Sequence, residues 1–426
     1  MDSLHGSALL AADRRLRGDP ITGERYFSRD FAEQERRHVF RRVWHIAGIS
    51  ADLEDFGDYV VHSLGHESVL VVRQKGGGVR AFHNVCPHRG NRLVWGDVGG
   101  GDGFTCAYHS WKFSTDGLLV DMQDPEDFAD GPLCGTLRLK ELPAAEWHGF
   151  VWFNLDPNAP TLAEWLGPIK QELDRYELDG LVRTAYQRIE LACNWKLVRD
   201  NFNESYHLPT IHPQLGGFFD EDYKNTEFAL FDGGHNLMVM QGVTTSRKEP
   251  YVDRVSTMLR DVLVRWDYDP AEFEGRAREA RTAVQKRMRE LGPSRGRKFY
   301  ARLADRQLTD AHHFTLFPNV TFTMHPDRFL MLRAEPHPTD PEKCYFDHWA
   351  FHRPEPGGAA LPEAEHEKFR YGERPISPVF DQDMSVMMAQ QQGVRSSGFD
   401  HARLSRQEAR IQRFHEIITD YIEGRI

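Results

Sequence analysis

The spacing of hydrophobic and polar positions predicts strands through the first half of the chain. Between Trp44 and Pro157, the runs WHIAGI, DYVVHSL, SVLVVRQ, VRAFHNV and GFVWFNL are short and rich in β-branched and aromatic residues. Gly-rich turns separate them, and runs of this kind are typical of strands. The tripeptide at residues 115–117, Thr-Asp-Gly, has the composition of a hairpin turn. We therefore expect a small antiparallel β domain over residues 44–157.

The residues before this domain have a helical pattern. Ser28 is placed to cap a helix through RDFAEQERRHVFRRVW, in which Phe31, Val39 and Phe40 are packing positions. Residues 1–43 are therefore predicted to form a helical arm.

After residue 158, helical and strand patterns alternate. A helical pattern begins at Thr161 and breaks at Gly167-Pro168, and NWKLVRDNFNESYH (194–207) is also helical in pattern. Further strand patterns cover residues 182–191, 226–245 and 313–352, and helical patterns cover 271–291, 378–396 and the C-terminal SRQEARIQRFHEIITDYIEG. This mixture predicts an α+β domain over residues 158–426.

The amino-acid composition narrows the classes of function that the protein can have. The chain has 53 basic and 64 acidic residues, a formal charge of −11, which gives no support for nucleic-acid binding. It has no apolar run long enough for a transmembrane helix, and its first residues lack the apolar core of a secretory signal. Its five cysteines are widely scattered, apart from the two discussed next. We therefore expect a cytoplasmic protein that does not bind membranes.

The most specific pattern lies between Cys86 and His109. A C-x-H motif at Cys86 and His88 is followed by 17 residues (89–105) and by a C-x2-H motif at Cys106 and His109. Each motif offers one thiolate and one imidazole. This is the mixed ligation of a Rieske [2Fe–2S] cluster, in which two His replace two Cys on one iron and raise the potential. The spacing therefore predicts such a cluster.

A structural zinc site is the alternative for these two Cys and two His. Classical zinc motifs pair like ligands, as C-x2–4-C and H-x3–5-H. Here each motif is mixed, which favours the cluster over zinc.

A second group of candidate ligands lies in DNFNESYHLPTIHP (200–213). His207 and His212 are five residues apart, about 140° on an ideal helix, so they would not share a helical face. Pro209 removes a backbone donor and disfavours the helical conformation for Leu208. We therefore expect the helix to end near His207 and the chain to turn back, so that His212 reaches the same metal.

A carboxylate would complete a two-His, one-carboxylate site, which leaves open positions on ferrous iron for O2. The segment FDQDMSVMMAQQQG (380–393) supplies Asp383 and its rival Asp381. Capping of a helix N-terminus is the alternative role for both carboxylates, and spacing alone does not choose between them. Without a carboxylate, two structural histidines would be the simpler interpretation of His207 and His212.

These motifs together resemble the α subunit of Rieske non-haem iron oxygenases, the ring-hydroxylating dioxygenases and related demethylating monooxygenases. The resemblance rests on CPHRG with CxxH (86–109), on NWK…DNFNExYH…H (194–212) and on FxQD (380–383). It covers roughly residues 40–396, in the family's order. It implies an antiparallel β Rieske domain and a catalytic domain of the helix-grip type, in which an antiparallel sheet wraps over helices.

The resemblance also implies the ligands of two iron sites. The [2Fe–2S] cluster would be held by Cys86, His88, Cys106 and His109. Mononuclear Fe(II) would be held by His207, His212 and Asp383. In the family, FxQD places the ligand at the Asp after Gln, which selects Asp383 and not Asp381.

Glu204 takes the position of an acid, usually Asp, that links a cluster His of one subunit to an iron His of the next. The implied link is His109–Glu204–His207. Glu is a departure that adds one methylene. It also occurs in relatives that demethylate or act on quaternary ammonium compounds.

The implied function is that of a terminal oxygenase component, which hydroxylates an aromatic or similarly hydrophobic ring with O2. Oxidative O- or N-demethylation is the alternative within this class, and a non-catalytic Rieske electron carrier is the alternative outside it. No flavin or nicotinamide motif is found, so a separate ferredoxin, reductase or both would supply electrons from NADH or NADPH. The family implies a homotrimer (α3), in some members with a β subunit.

Overall fold

The computed structural model divides the chain into two compact units. One unit is Arg36–Trp165, and the other joins Met1–Glu35 with Leu166–Ile426. Residues 1–15, which begin the predicted arm, lie outside the described part of the chain. The structure describes residues 16–129, 131, 133–178, 180–248 and 250–426.

Within the described residues, the unit Arg36–Trp165 is built from three antiparallel sheets. Its strands are β1 Trp44–Ile49, β2 Tyr59–Leu64, β3 Glu67–Arg73, β4 Val79–His83, β5 Val98–Gly99, β6 Gly103–Thr105, β7 Lys112–Ser114, β8 Leu119–Asp121, β9 Glu141–Leu142, β10 Ala144–Trp147 and β11 Phe150–Asn154. Their orders are β5-β2-β3-β4-β9, β1-β11-β10 and β6-β7-β8. The predicted antiparallel β domain is thereby confirmed.

The alternation of apolar residues explains these strands. In β2, Val60 and Leu64 face the interior and Ser63 faces solvent, while every residue of the central strand β11 is buried. The predicted hairpin turn joins β7 to β8, where Gly117 has a φ of 82° that favours glycine. Ser114 donates a hydrogen bond to Asp116 across this turn, at 2.5 Å.

The other unit is organised around one large sheet. Its strands are β12 Val182–Leu191, β13 Phe219–Asp220, β14 Glu227–Leu230, β15 Asn236–Gly242, β16 Ala311–Leu316, β17 Val320–His325, β18 Arg328–Pro336, β19 Cys344–His352 and β20 Glu367–Arg370. The order is β13-β15-β16-β17-β18-β19-β12-β20, with β14 paired to β15. Neighbouring strands are antiparallel except for β12 and β20.

Most of the α-helices belong to the unit with the large sheet. The α-helices in the described residues are α1 Arg29–Glu35, α2 Leu162–Leu166, α3 Pro168–Leu173, α4 Trp195–Asn201, α5 Leu208–Ile211, α6 Thr257–Arg265, α7 Ala280–Leu291, α8 Asp305–Thr309, α9 Pro378–Gly393 and α10 Ala409–Ile422. Helix α4 is buried over most of its length and packs against α9, β18 and β19. The combination of antiparallel sheet and helices agrees with the predicted α+β fold. None of these helices is long and apolar enough to span a bilayer.

Two helix predictions need correction. The helix predicted over 194–207 ends at Asn201, and Pro209 lies in the first turn of the separate helix α5. Proline is tolerated there because the first N–H groups of a helix have no intrahelical acceptor. The helix after Ser28 continues beyond α1 only as a π-helical stretch, Arg36–Phe40; residues 41–43 then form a turn, and β1 begins at Trp44. The Ser28 hydroxyl accepts a hydrogen bond from the Phe31 amide, as a cap does.

Candidate metal centres

The four cluster candidates lie on two loops with the same backbone pattern. Cys86 donates its amide to the carbonyl of Asn91 and accepts from the amide of Gly90. Cys106 likewise donates to the carbonyl of Trp111 and accepts from the amide of Ser110. Each loop is therefore a tight tip that begins at a cysteine, and the two tips are hydrogen-bonded alike.

Within these tips, like donors lie together. Both thiols are buried, and the imidazole rings of His88 and His109 lie edge to face with their centroids 4.5 Å apart. Trp111 stacks on His88 at 4.7 Å. The two thiols are neighbours as well, and one thiol pair with one imidazole pair fits two irons, one held by sulfur and one by nitrogen. A zinc site would instead need all four donors around one ion.

Hydrogen-bond donors surround the cysteine sulfurs. Burial raises the pKa of the Cys86 thiol to about 11. Burial also acts to raise the pKa of Cys106, but the main-chain N–H of Tyr108 and the side chain of Asn91 lower it overall. The Asn91 amide nitrogen is 3.7 Å from the Cys106 sulfur. Such donors stabilise thiolate charge, which a bound cluster requires.

The second group of candidates converges in the other unit. One donor atom each from His207, His212 and Asp383 lie within 4.8 Å of one another, and no other such group occurs among the residues that the structure describes. Asp383 Oδ1 is 2.8 Å from His212 Nε2 and 3.6 Å from His207 Nε2. His212 and Asp383 are each 2% exposed and shielded from bulk water, whereas His207 is only partly buried.

The single turn α5 brings the two histidines together. His207 precedes this helix and His212 follows it. Both rings turn toward each other, with centroids 5.2 Å apart, because His212 leaves the helical conformation at φ −122° and ψ 55°. The predicted convergence is therefore observed, although the local structure that produces it differs from the prediction.

The structure distinguishes the two candidate carboxylates. Asp381 lies in the first turn of α9 and accepts the amide of Ile376 at 3.2 Å, which is the alternative role considered for it. Asp383 lies two residues further on, is buried, and faces both histidines. The structure therefore places Asp383, and not Asp381, with the histidines.

Each histidine ring is held through Nδ1, the nitrogen that faces away from the other two candidate ligands. Glu204 Oε1 is 2.5 Å from His207 Nδ1, and Gln382 Oε1 is 2.8 Å from His212 Nδ1. With Nδ1 donating outward, Nε2 is the atom that each ring offers to a metal. The donor set and its orientation therefore fit a divalent ion with two imidazoles and one carboxylate.

The pKa of His212 is shifted by this environment. Burial acts to lower it, but the hydrogen bond and charge of Asp383 raise it overall. A raised pKa favours the doubly protonated ring, which carries a proton on Nε2 as well as on Nδ1, and Nε2 is the atom that a metal would occupy. Metal binding at this site is therefore expected to displace a proton.

The sequence reasoning missed two contacts. Asn91, in the first cluster tip, and Gln382, beside Asp383, were not singled out as candidates. A usable signal existed for Gln382, because the FxQD motif places it directly before a ligand. No comparable signal existed for Asn91.

Family models match both units. The model described as "Ring hydroxylating alpha subunit (catalytic domain)" matches residues 178–424, and the "Rieske [2Fe-2S] domain" model matches residues 43–137. A Rieske domain carries a [2Fe–2S] cluster, and the catalytic domain of these oxygenases binds mononuclear iron.

Individual relatives include both oxygenase types. The carnitine monooxygenase oxygenase subunit of Escherichia coli (strain K12) is 33% identical over 197 residues, 46% of this chain and 52% of the relative. The chlorobenzene dioxygenase subunit alpha of Cupriavidus sp. (strain PS12) is 35% identical over 205 residues, 46% of this chain and 44% of the relative. The chain thus spans about half the length of the curated relatives that it matches.

Solved structures share the fold. The quaternary ammonium Rieske monooxygenase CntA, in complex with an inhibitor, has a TM-score of 0.67 at 19% identity, covering 94% of this chain and 95% of the other. Naphthalene 1,2-dioxygenase from Rhodococcus sp. bound to indole also has a TM-score of 0.67 at 19% identity, covering 99% of both chains. By its catalytic-domain match over more than half of its length, this chain belongs to the ring-hydroxylating alpha subunits of the Rieske oxygenases.

Proposed function

We propose that this protein is the terminal oxygenase component of a Rieske oxygenase system. The observation that carries the proposal is the convergence of His207, His212 and Asp383, whose outer partners leave both Nε2 atoms directed at one point. An electron carrier has no need of such an open two-His, one-carboxylate site. The proposed domains are an arm over residues 1–43, a Rieske domain over 44–157 and a catalytic domain over 158–426.

The proposed ligands divide the chemistry between two centres. The cluster on Cys86, His88, Cys106 and His109 would supply single electrons, and the iron on His207, His212 and Asp383 would supply O2 activation. The chain's own residues hold these ligands in place. Glu204 and Gln382 contact Nδ1 of the two iron-site imidazoles, and the burial of His212 and Asp383 excludes water from one side of the site.

The proposed assembly is a homotrimer in which Glu204 of one subunit links to His109 of the next. Support comes from Glu204, which is bonded to the outer nitrogen of His207, and from His109, whose ring lies half-buried at a loop tip. The other Glu204 oxygen already accepts the main-chain amides of Tyr206 and His207. A link to His109 would therefore share an oxygen with one of these contacts. A ferredoxin, a reductase or both would deliver electrons to the cluster.

The substrate of the main proposal is an aromatic or similarly hydrophobic ring, supported by the dioxygenase relatives. Oxidation of a quaternary ammonium compound or a demethylation is the second candidate, supported by Glu204 and by the carnitine and glycine betaine monooxygenase relatives. The protein reconstituted with an electron donor and supplied with ¹⁸O2 is expected to incorporate label into an aromatic hydrocarbon. Turnover of carnitine or glycine betaine without ring hydroxylation would select the second candidate.

Replacement of His207 tests the two-centre arrangement itself. Anaerobically purified protein is expected to contain about three iron per chain, two in the cluster and one mononuclear. His207→Ala is expected to lose one of these and to keep the Rieske EPR signal after dithionite reduction. The matched control is His401→Ala, because His401 lies outside the proposed site.

Two results would contradict this proposal. After anaerobic loading with Fe(II), two iron in both the wild type and His207→Ala would indicate an electron carrier. Zinc in place of iron, with no Rieske signal, would reject both proposed centres.

A further inference from the structure

The two proposed iron-site histidines have chemically different partners. His207 Nδ1 meets a carboxylate, Glu204, at 2.5 Å, whereas His212 Nδ1 meets a neutral amide, Gln382, at 2.8 Å. We infer that Gln382 is a positioning residue, which fixes the orientation of His212 and thereby the affinity of the site for Fe(II). This inference rests on the proposed function, since it requires iron at His207, His212 and Asp383.

A second contact orients the Gln382 amide. Gln382 Oε1 also accepts a hydrogen bond from Gln214 Nε2, at 2.8 Å. The Gln214 atom at this contact is its amide nitrogen, which can only donate. The Gln382 oxygen therefore accepts from Gln214 and also faces Nδ1 of His212. His212 must then donate from Nδ1, which makes Nε2 the atom available to a metal. The orientation of the ligand ring is thus set by protein contacts before any metal binds.

The positions of these residues along the chain strengthen the argument. Gln382 directly precedes Asp383 in α9, and Gln214 follows His212 by two residues in the 3-10 turn Pro213–Gly217. The contact therefore ties the segment that carries one histidine to the helix that carries the carboxylate. A change at Gln382 would release the ring of His212 without removing any of the three donors.

The asymmetry has an electrostatic consequence. A carboxylate partner raises the basicity of a ligating imidazole, and a neutral amide does so less. His207 is therefore the stronger donor, and His212 is oriented without adding a further negative charge to the site. A carboxylate at position 382 would keep the acceptor and add that charge.

Two variants separate orientation from general packing. Gln382→Leu removes the acceptor and is expected to weaken Fe(II) binding by about 10- to 100-fold, the usual range for the loss of a ligand's hydrogen-bond partner. Gln382→Glu retains an acceptor for His212 and is expected to bind Fe(II) at least as tightly as the wild type. Gln390→Glu makes the same charge change on the exposed side of α9 and is expected to have no effect.

The measurement is the Fe(II) dissociation constant of the full chain, obtained anaerobically by competition with a chromophoric ferrous chelator. Far-UV circular dichroism and the Rieske EPR signal of each variant report whether it is folded. His212→Ala is the reference for the site. If His212→Ala binds Fe(II) as the wild type does, the proposed iron site is wrong.

Two other outcomes bear on Gln382 alone. Weakened binding in His212→Ala with unchanged binding in Gln382→Leu would overturn its positioning role. Equal weakening in Gln382→Leu and Gln382→Glu would also overturn it, because a structural defect would not be rescued by an acceptor. The inference is supported if Gln382→Glu binds Fe(II) as tightly as the wild type, Gln382→Leu binds it more weakly, and Gln390→Glu shows no change.

Discussion

Glu204→Gln is expected to retain both metal centres and to lose turnover by about 100-fold, the upper range for residues that orient a metal ligand. One Glu204 oxygen is bonded to His207 Nδ1, and the other accepts the main-chain amides of Tyr206 and His207. Glutamine has only one acceptor oxygen. The NH2 group of the new glutamine would therefore face either Nδ1–H of His207 or the two main-chain N–H groups. In both cases two hydrogen-bond donors would meet, and no hydrogen bond could form.

The measurements for Glu204→Gln are iron content, the Rieske EPR signal and the steady-state rate of product formation. A single-turnover experiment adds the rate at which the reduced cluster is reoxidised when substrate and O2 are present. This rate is expected to fall if Glu204 lies on the electron route. Glu272→Gln, at an exposed position, is the matched control. Normal product formation in Glu204→Gln would contradict the bridging role.

Lys196→Met is expected to lower the free energy of unfolding by about 3–5 kcal/mol. Lys196 is fully buried in α4, and its Nζ lies 2.8 Å from a carboxylate oxygen of Glu35, which is also buried. Burial lowers the pKa of Lys196, and the charge of Glu35 offsets part of this effect. Removing the lysine leaves the Glu35 carboxylate in the interior without its ion-pair partner, and an uncompensated buried charge is strongly destabilising.

Urea titration followed by tryptophan fluorescence measures this loss. Lys286→Met is the control, because Lys286 and Glu290 form an exposed pair at 4.0 Å that is expected to contribute little. The double variant Lys196→Met/Glu35→Leu is expected to recover much of the stability, since neither charge remains buried. A loss of less than 1 kcal/mol in Lys196→Met would show that Glu35 is compensated by another group.

The secondary-structure predictions were accurate where the interactions that form an element lie within a few residues of the chain. The strands of the unit Arg36–Trp165 follow alternating or continuous burial within a few residues, and their patterns were interpreted correctly. The break at Gly167 was also predicted, and it separates α2 from α3 with a φ of 54°. The separate helix α5 was not predicted, because proline permits two outcomes: it can terminate the helix that precedes it, or it can lie in the first turn of a new one, as Pro209 does.

The sequence by itself was enough to propose the ligand types and their order. Cys86, His88, Cys106 and His109 have a spacing that favours the mixed cluster over zinc, and the resemblance of NWK…DNFNExYH…H located His207 and His212. These motifs are short and chemically specific, so the order of residues along the chain was enough to identify them.

Spacing left the carboxylate undecided and the family resemblance selected Asp383, but only the tertiary structure shows that Asp383 lies beside the histidines and what holds each ring. Asp383 is 171 residues from His212, and Asp381 is as acidic and almost as close in the sequence. The choice depends on the side of α9 that faces α5, since two residues along a helix rotate a side chain by about 200°. The contacts of Gln382 and Gln214 depend on the same packing, because sequence spacing carries no information about which distant side chains meet.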